Sequence, residues 1–142
     1  MSDPAGYSGT PLAQKLGLKD GQRVLFVDLP ETLAELALSR QFVEAGRVGT
    51  DRLGDGTGYD VIHLFTTARA VLEALARRLM GMIARNGMIW VSWPKKAAGI
   101  ATDITEDVIR SVVLPLGLVD VKVCAVDQTW SGLKLVIRKE LR

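Results

Sequence analysis

The residues best suited to hold a ligand lie in one stretch, Trp93-Pro94-Lys95-Lys96, which leads through a small-residue loop to Thr102-Asp103. Two lysine ammonium groups and the exposed N–H groups of a helix starting at Thr102-Asp103 could together hold an anionic group. Trp93 could form the floor of the same pocket. The alternative is a solvated loop before an ordinary capped helix, in which Asp103 is the N-cap and would repel an anion.

The ends of two other strands are expected at the same edge. The apolar runs 23–28 and 60–65 end at Asp28 and just before Thr66, respectively. In an open α/β sheet, ligands bind outside the carboxyl ends of the strands. We therefore predict a ligand-binding site made of seven residues: Asp28, Thr66, Trp93, Lys95, Lys96, Thr102 and Asp103.

A glycine-rich loop stands at the wrong end of a strand. Gly54-Asp55-Gly56-Thr57-Gly58 has the spacing of a nucleotide loop, but it precedes the strand 60–65. A working loop follows a strand and opens a helix, so that backbone N–H groups face a phosphate. The segment after strand 23–28 reads Leu29-Pro30-Glu31-Thr32 and holds no glycine. The sequence therefore predicts no bound cofactor.

No catalytic or metal-binding group is evident. His63, the only histidine, lies within a strand, and we weigh a core histidine bonded to backbone against a catalytic base. Cys124 is expected on the polar face of a late strand, where a nucleophile is the alternative to an inert thiol. One histidine and one cysteine give no recognisable metal-ligand spacing. We assign no catalytic residue and no metal.

Strands and helices alternate along the chain. Pro30 is expected to start a helix reaching 38, residues 46–53 give a weak edge strand, and a 3.6-residue apolar period predicts a helix over 68–84. Asn86-Gly87 would end that helix before a buried strand at 88–93. Asp103 and Glu106 have the spacing of a capping box that opens a helix closed by Pro115 and Gly117. Two final strands, 119–125 and 133–137, would pair as a hairpin, the first alternating apolar and polar residues.

Length and charge narrow the functional classes. A chain of 142 residues is expected to form one domain, 1–142, with residues 1–9 as a loose arm. The net charge of +2 is too mild to indicate nucleic acid. A single cysteine fits a reducing compartment, and the first residues lack the pattern of a signal peptide. We therefore expect a cytoplasmic protein without a membrane segment.

This order of elements resembles the class I S-adenosylmethionine-dependent methyltransferases. Asp60–Phe65 resembles their fourth strand, Gly87–Trp93 their fifth, and the final hairpin their antiparallel seventh strand with its partner. The resemblance implies an α/β, Rossmann-like three-layer sandwich, with a mostly parallel sheet ending in an antiparallel C-terminal β-hairpin. The chain has no counterpart of the unit that holds the family's third strand. It also lacks the glycine motif that follows the family's first strand. No acidic residue is placed at the end of the second strand, since Asp51 lies in the weak strand.

Several sequence segments resemble those of a family of small bacterial proteins of unknown function. They include 5–12, Trp90–Lys96, Thr102–Asp107 and Cys124–Lys134. The likeness spans nearly the full chain and implies no particular activity.

Three functions remain open at this stage. The leading hypothesis is a non-enzymatic domain that binds a partner protein or another copy of itself, with the hairpin edge as the surface. The alternative is a binder or transferase for an anionic, nucleotide-like small molecule at the carboxyl edge of the sheet. A methyltransferase is the third hypothesis. It is placed last because its cofactor would need backbone N–H donors after the first strand, where Leu29-Pro30 includes a proline without an N–H.

Overall fold

The computed structural model describes residues 11–142, which build one six-stranded sheet in the order β2-β1-β3-β4-β6-β5. The four strands β1 to β4 run parallel, and β6 runs antiparallel to both β4 and β5. This confirms the predicted mostly parallel sheet with a C-terminal hairpin. The predicted arm, residues 1–9, lies outside the described residues. The strands are β1 (Arg23–Val27), β2 (Glu44–Val48), β3 (Tyr59–Phe65), β4 (Ile83–Pro94), β5 (Leu118–Ala125) and β6 (Trp130–Ile137).

Helices cover both faces of the sheet and give three layers. Helices α2 (Arg69–Met82) and α3 (Glu106–Val113) bury one face, while α1 (Leu12–Lys15) and the 3₁₀ helix Glu31–Leu38 bury the other. The segment after Pro30, expected to be helical, is thus a 3₁₀ helix. Further 3₁₀ turns lie at Thr50–Arg52, Lys96–Ala98, Leu114–Leu116 and Lys139–Leu141.

The apolar runs explain why the central strands lie where they do. In β1, Leu25 and Val27 pack toward α2, whereas Val24 and Phe26 pack toward α1. All four side chains are buried. A parallel strand covered by helices on both faces needs this continuous apolar run rather than alternation.

The weak edge strand exists, three residues shorter than the predicted range 46–53 and shifted toward the N-terminus. Strand β2 pairs in parallel with β1, and nothing pairs with its outer edge among residues 11–142. Residues 49–58, which connect β2 to β3, contain a single 3₁₀ turn and the glycine-rich loop. The glycine loop therefore enters a strand, as predicted, and the parallel sheet lacks a strand beyond β2.

Helix α2 ends at Met82, so the predicted end at Asn86-Gly87 is wrong. Ile83 already pairs with Tyr59 as the first residue of β4, and a register shift follows before Val61. A methyl group on Gly87 would lie 2.7 Å from the Tyr59 carbonyl oxygen, which shows how closely the two strands approach there. The helical period continued past Met82, but strand pairing with β3 prevailed over local propensity.

The predicted alternation in β5 is also wrong. A bulge between Asp120 and Lys122 shifts the register, and Val121 and Val123 are 52% and 50% exposed. Beyond the bulge, Cys124 faces α1 and packs against the cluster that contains Trp90, rather than lying on a polar face. One extra residue in a strand moves every following side chain to the opposite face.

Candidate functional site

A pocket of about 430 Å³ opens at the carboxyl end of β4. It brings together Trp93, Lys96 and Thr102, three of the seven predicted site residues. Trp93 is only 8% exposed and belongs to the core beneath α2 and α3, so its indole forms the pocket floor. The remaining lining residues are Pro94, Ile100, Ala101, Ile104, Thr105 and Glu106.

Lys96 supplies the positive charge of this pocket. It starts the 3₁₀ turn Lys96–Ala98, and Gly99 ends the turn with φ +68°, a left-handed conformation that glycine adopts without strain. The Lys96 side chain is exposed, and no carboxylate of residues 11–142 forms an ion pair with it.

The acidic group of the pocket, Glu106, forms an ion pair with Arg110. Glu106 accepts a 2.5 Å hydrogen bond from Arg110 Nη2, and the same guanidinium binds Asp107 and Asp120. The hydrogen bonds that Arg110 donates, first to Asp120 and then to Glu106, raise the pKa of Arg110 above its ordinary value. Of the two charged residues that line the pocket, Glu106 has an ion-pair partner within residues 11–142 and Lys96 has none.

Asp103 is not the N-cap of α3, so the predicted capping box is wrong. Thr105 caps that helix, with its Oγ1 accepting a 3.2 Å hydrogen bond from the Val108 N–H. The Asp103 carboxylate instead accepts a 2.7 Å hydrogen bond from the backbone N–H of Arg69, the first residue of α2. Asp103 thus satisfies a donor at the start of a different helix.

Thr102 fastens the segment before α3 to the turn after β3, and Thr66 forms a hydrogen bond within that turn. Thr102 Oγ1 donates to the Thr67 carbonyl oxygen at 2.7 Å and accepts from the Ile104 N–H at 3.1 Å. Thr66 is buried, and its hydroxyl accepts a hydrogen bond from the Ala68 N–H at 3.2 Å. These two threonines position the pocket wall rather than converge on one point with Lys96.

Lys95 and Asp28 lie apart from this pocket's lining. The Lys95 backbone N–H donates to the Thr129 carbonyl oxygen at 2.7 Å, which ties the end of β4 to the β5–β6 turn. Asp28 is exposed at the end of β1, and its φ of +57° places it in the left-handed region. Strain of this kind is common at functional sites.

Asp51 is a neighbour of Asp28 that the sequence analysis set aside. A methyl group on Gly49 would lie 2.8 Å from Asp51 Oδ1 and 3.6 Å from Asp28 Oδ1, so both carboxylates surround the end of β2. The sequence signal was present, since Asp51 follows the weak strand, but the strand's bounds were uncertain. Pro30, without an N–H, occupies the N-cap of the 3₁₀ helix that follows β1.

His63 is a core residue. Its Nε2 lies 2.7 Å from Ser92 Oγ, so the predicted backbone partner is wrong, and its ring stacks on Phe65 with centroids 4.1 Å apart. Complete burial lowers the pKa of His63 to about 3. Burial likewise raises the pKa of the Cys124 thiol, which disfavours the thiolate. Within residues 11–142, no group of three acidic, histidine or cysteine side chains could hold a metal ion.

A groove on the α1 side of the sheet was not foreseen. Two adjoining cavities of about 540 and 500 Å³ share Leu12, Thr32 and Leu33. One extends along the 3₁₀ helix to Leu38, and the other reaches the β5–β6 turn at Asp127. The Asp127 carboxylate is engaged there by the backbone N–H groups of Thr129 and Trp130.

No family model matches the chain, and no curated protein matches it by sequence, so the likeness to small bacterial proteins stays a prediction. Solved structures do match. A methyltransferase dependent on S-adenosylmethionine from Aquifex aeolicus aligns with a TM-score of 0.62 and 15% identity, over 89% of this chain and 87% of that one. Magnesium protoporphyrin IX methyltransferase from Synechocystis PCC 6803, with bound S-adenosylmethionine, aligns with a TM-score of 0.58 and 13% identity, over 84% and 71%.

The [4+2]-cyclase SpnF aligns equally well, with a TM-score of 0.62 and 8% identity over 89% of this chain and 79% of that one. At these identities the matches show the fold alone, which is that of the class I methyltransferases. Neighbours of this fold thus include both methyltransferases and a cyclase.

None of the helices within residues 11–142 has the length and apolar character needed to cross a bilayer.

Proposed function

We propose that the chain binds a small anionic molecule in the pocket at the end of β4 and does not transfer a methyl group. One observation carries this proposal. Lys96 lines the pocket without a carboxylate partner among residues 11–142, while the pocket's acidic residue, Glu106, is bound by Arg110. An anion entering the pocket would therefore meet one lysine ammonium that is not already in an ion pair.

The lining indicates what else the ligand carries. The volume of about 430 Å³ falls within the usual range for small-molecule sites. Trp93, Ile100 and Ile104 favour an apolar or aromatic body, and Lys96 supplies a positive charge for an anionic group. We infer a ligand with a flat apolar part and one carboxylate or phosphate group.

The region after β1 argues against methyl transfer. A bound cofactor would need backbone N–H groups at a helix start beyond β1. Here Pro30 provides none, and the helix that follows is of the 3₁₀ type. Binding, rather than catalysis, is therefore the function that we favour.

A nucleoside-binding methyltransferase is the second candidate, and Asp51 is the observation that favours it. Now that β2 is seen to end at Val48, Asp51 stands just beyond the second strand, beside Asp28. A carboxylate at that place can accept hydrogen bonds from two ribose hydroxyls. The two candidates use different ends of the carboxyl edge and are separable by mutation.

A thermal-shift screen followed by calorimetry tests both. The panel contains inorganic phosphate, adenosine phosphates, nicotinamide cofactors, S-adenosylmethionine and aromatic carboxylates, each beside a neutral analogue. A ligand at a hundred times its Kd stabilises the native state by about 2.7 kcal/mol, which the melting temperature reports. We expect an anionic aromatic compound to raise the melting temperature and its neutral analogue to have little effect.

Matched variants assign the site. Lys96→Ala should abolish the ligand-dependent shift while leaving the unliganded melting temperature unchanged, whereas Lys139→Ala, at another exposed lysine, should leave the shift intact. No shift from any compound at millimolar concentration would refute the proposal. Micromolar binding of S-adenosylmethionine that survives Lys96→Ala and is lost in Asp51→Asn would establish the second candidate instead.

A further inference from the structure

Two lysines face each other across the C-terminal hairpin. Lys122 on β5 lies directly opposite Lys134 on β6, and Lys134 is in turn opposite Trp90 on β4. Residues opposite each other in a sheet project from the same face. The Trp90 indole N–H donates to the Leu16 carbonyl oxygen at 2.9 Å, so both lysines lie on the side of the sheet that carries α1.

A third lysine, Lys19, stands beyond α1 in the same region. Burial, then the positive charges of Lys122 and Lys19, lower the pKa of the Lys134 ammonium. Within residues 11–142, no carboxylate forms an ion pair with any of the three. We call Lys19, Lys122 and Lys134 the three-lysine cluster.

The cluster costs stability in the isolated chain. Like charges directly opposite each other in a sheet are destabilising. Asp120, the carboxylate of β5, does not relieve that repulsion, because it forms an ion pair with Arg110. Proteins break local rules of this kind chiefly at functional sites.

Apolar side chains accompany the lysines. Val119 lies opposite Val136, on the same face of the sheet as the cluster and one pair farther along that face, and both are partly exposed. Neither strand carries an arginine, and the one aromatic residue, Trp130, is packed edge-on against Phe65. The two hairpin strands therefore offer no exposed pair of aromatic or guanidinium planes on which nucleic-acid bases could stack.

We propose that the three-lysine cluster and the Val119–Val136 pair form a docking surface for an acidic segment of another protein. Charge complementarity selects a carboxylate-rich partner, and the valine pair selects one whose acidic residues are interspersed with apolar ones. The surface lies on the α1 face of the hairpin, on different residues from the Lys96 pocket, and it does not depend on the function proposed for that pocket.

Two synthetic peptides of equal charge test the surface by fluorescence anisotropy at low salt. One alternates glutamate with valine, and the other alternates glutamate with serine. We expect the valine peptide to bind at least tenfold more tightly, and Lys122→Gln with Lys134→Gln to weaken its binding at least tenfold. Arg77→Gln with Lys139→Gln removes the same charge from exposed positions and should leave binding unchanged.

Stability gives an independent readout. Glutamine removes the charge and keeps two of the four methylenes of the lysine stem, so the Lys122→Gln, Lys134→Gln variant should melt about 1–4 °C higher than the wild-type chain. A lower melting temperature would mean that the lysines stabilise the hairpin, which contradicts the proposal.

Other partners would overturn the assignment. Single-stranded DNA, long-chain polyphosphate or vesicles containing phosphatidylglycerol that bind more tightly than the valine peptide, and lose affinity in the same variant, would place a phosphate-rich partner there. A salt-sensitive dimer in sedimentation that dissociates in the same variant would assign the surface to a second copy of the chain. Equal binding of the two peptides would remove the role of the valine pair.

Discussion

The Asp103 carboxylate accepts a 2.7 Å hydrogen bond from the backbone N–H of Arg69, the first residue of α2. Asp103 precedes α3, but it satisfies the start of the other helix on the same face of the sheet. Thr105, two residues later, caps α3 itself. The segment before α3 therefore joins the starts of two helices and forms one wall of the Trp93 pocket.

The two caps should contribute separately to stability. Asp103→Ala and Thr105→Ala should each lower the free energy of unfolding by roughly 1 kcal/mol, because each leaves a helix N–H without its acceptor. Since the caps serve different helices, the double variant should lose the sum within about 0.5 kcal/mol. Urea denaturation measures all three, with Asp55→Ala as an exposed control that changes little. A near-zero effect of Asp103→Ala would contradict the Arg69 contact.

His63 should make the protein sensitive to acid. Burial lowers its pKa from 6.5 to about 3 in the folded chain. Between these two values the unfolded chain binds a proton at His63 and the folded chain does not. The resulting stability is fully present above about pH 6.5 and is lost at up to about 1.4 kcal/mol per pH unit as the pH falls toward 3. His63→Gln should show a correspondingly shallower fall of unfolding free energy between about pH 6 and pH 4.

The same residue offers a direct spectroscopic measurement. His63 is the only histidine, so its imidazole proton signals are unambiguous by NMR. They should not titrate between about pH 8 and pH 5 in the folded protein. A midpoint near the ordinary value of 6.5 would show that the ring reaches solvent, and would refute the buried pair with Ser92.

Two glycines near the end of α2 should respond oppositely to alanine. Gly81 is exposed within α2, and a methyl group there meets nothing within 4 Å, so Gly81→Ala should stabilise the chain by about 0.5–1 kcal/mol. Gly87→Ala would place a methyl group 2.7 Å from the Tyr59 carbonyl oxygen and should destabilise it. Thermal unfolding of the two variants side by side checks the close approach of β3 and β4 at Gly87. A stabilising effect of Gly87→Ala would contradict that approach.

At position 28, the glycine variant should be more stable than the alanine variant, which is the reverse of the usual order. The Asp28 φ of +57° disfavours a side chain with a Cβ, so Asp28→Gly should be more stable than Asp28→Ala by about 1 kcal/mol. Denaturant titration of the two variants measures the difference, and both remove the same carboxylate. Alanine being the more stable would mean that the backbone at the end of β1 is not left-handed.

The fold was predictable because its signals are local. The continuous apolar runs of β1 and β3, each buried on both faces, indicate a parallel sheet, and the closely spaced last two strands indicate a hairpin. The order of residues along the chain was also enough to predict that the glycine-rich loop 54–58 precedes β3 rather than following a strand. The order of elements also showed that the family's third strand has no counterpart, and within residues 11–142 the sheet has no strand beyond β2.

The boundaries that failed were decided by pairing. The helical period of α2 runs on past Met82, and only contact with Tyr59 converts Ile83 into a strand residue. The bulge after Asp120 turns Cys124 toward α1, although the sequence alternates without interruption. Local propensity cannot register either event, because the competing hydrogen bonds come from residues far along the chain.

Sequence alone determined which residues reach the carboxyl edge, since the ends of parallel strands meet there whatever their side chains do. Tertiary structure decided which of them act together. Trp93, Lys96 and Thr102 line one pocket. Asp103 instead binds the Arg69 N–H, and Asp28 lies apart from the pocket, near Asp51 at the end of β2. The physical reason is that a carboxylate binds the nearest unsatisfied N–H, and for Asp103 that donor belongs to a helix that begins 34 residues earlier.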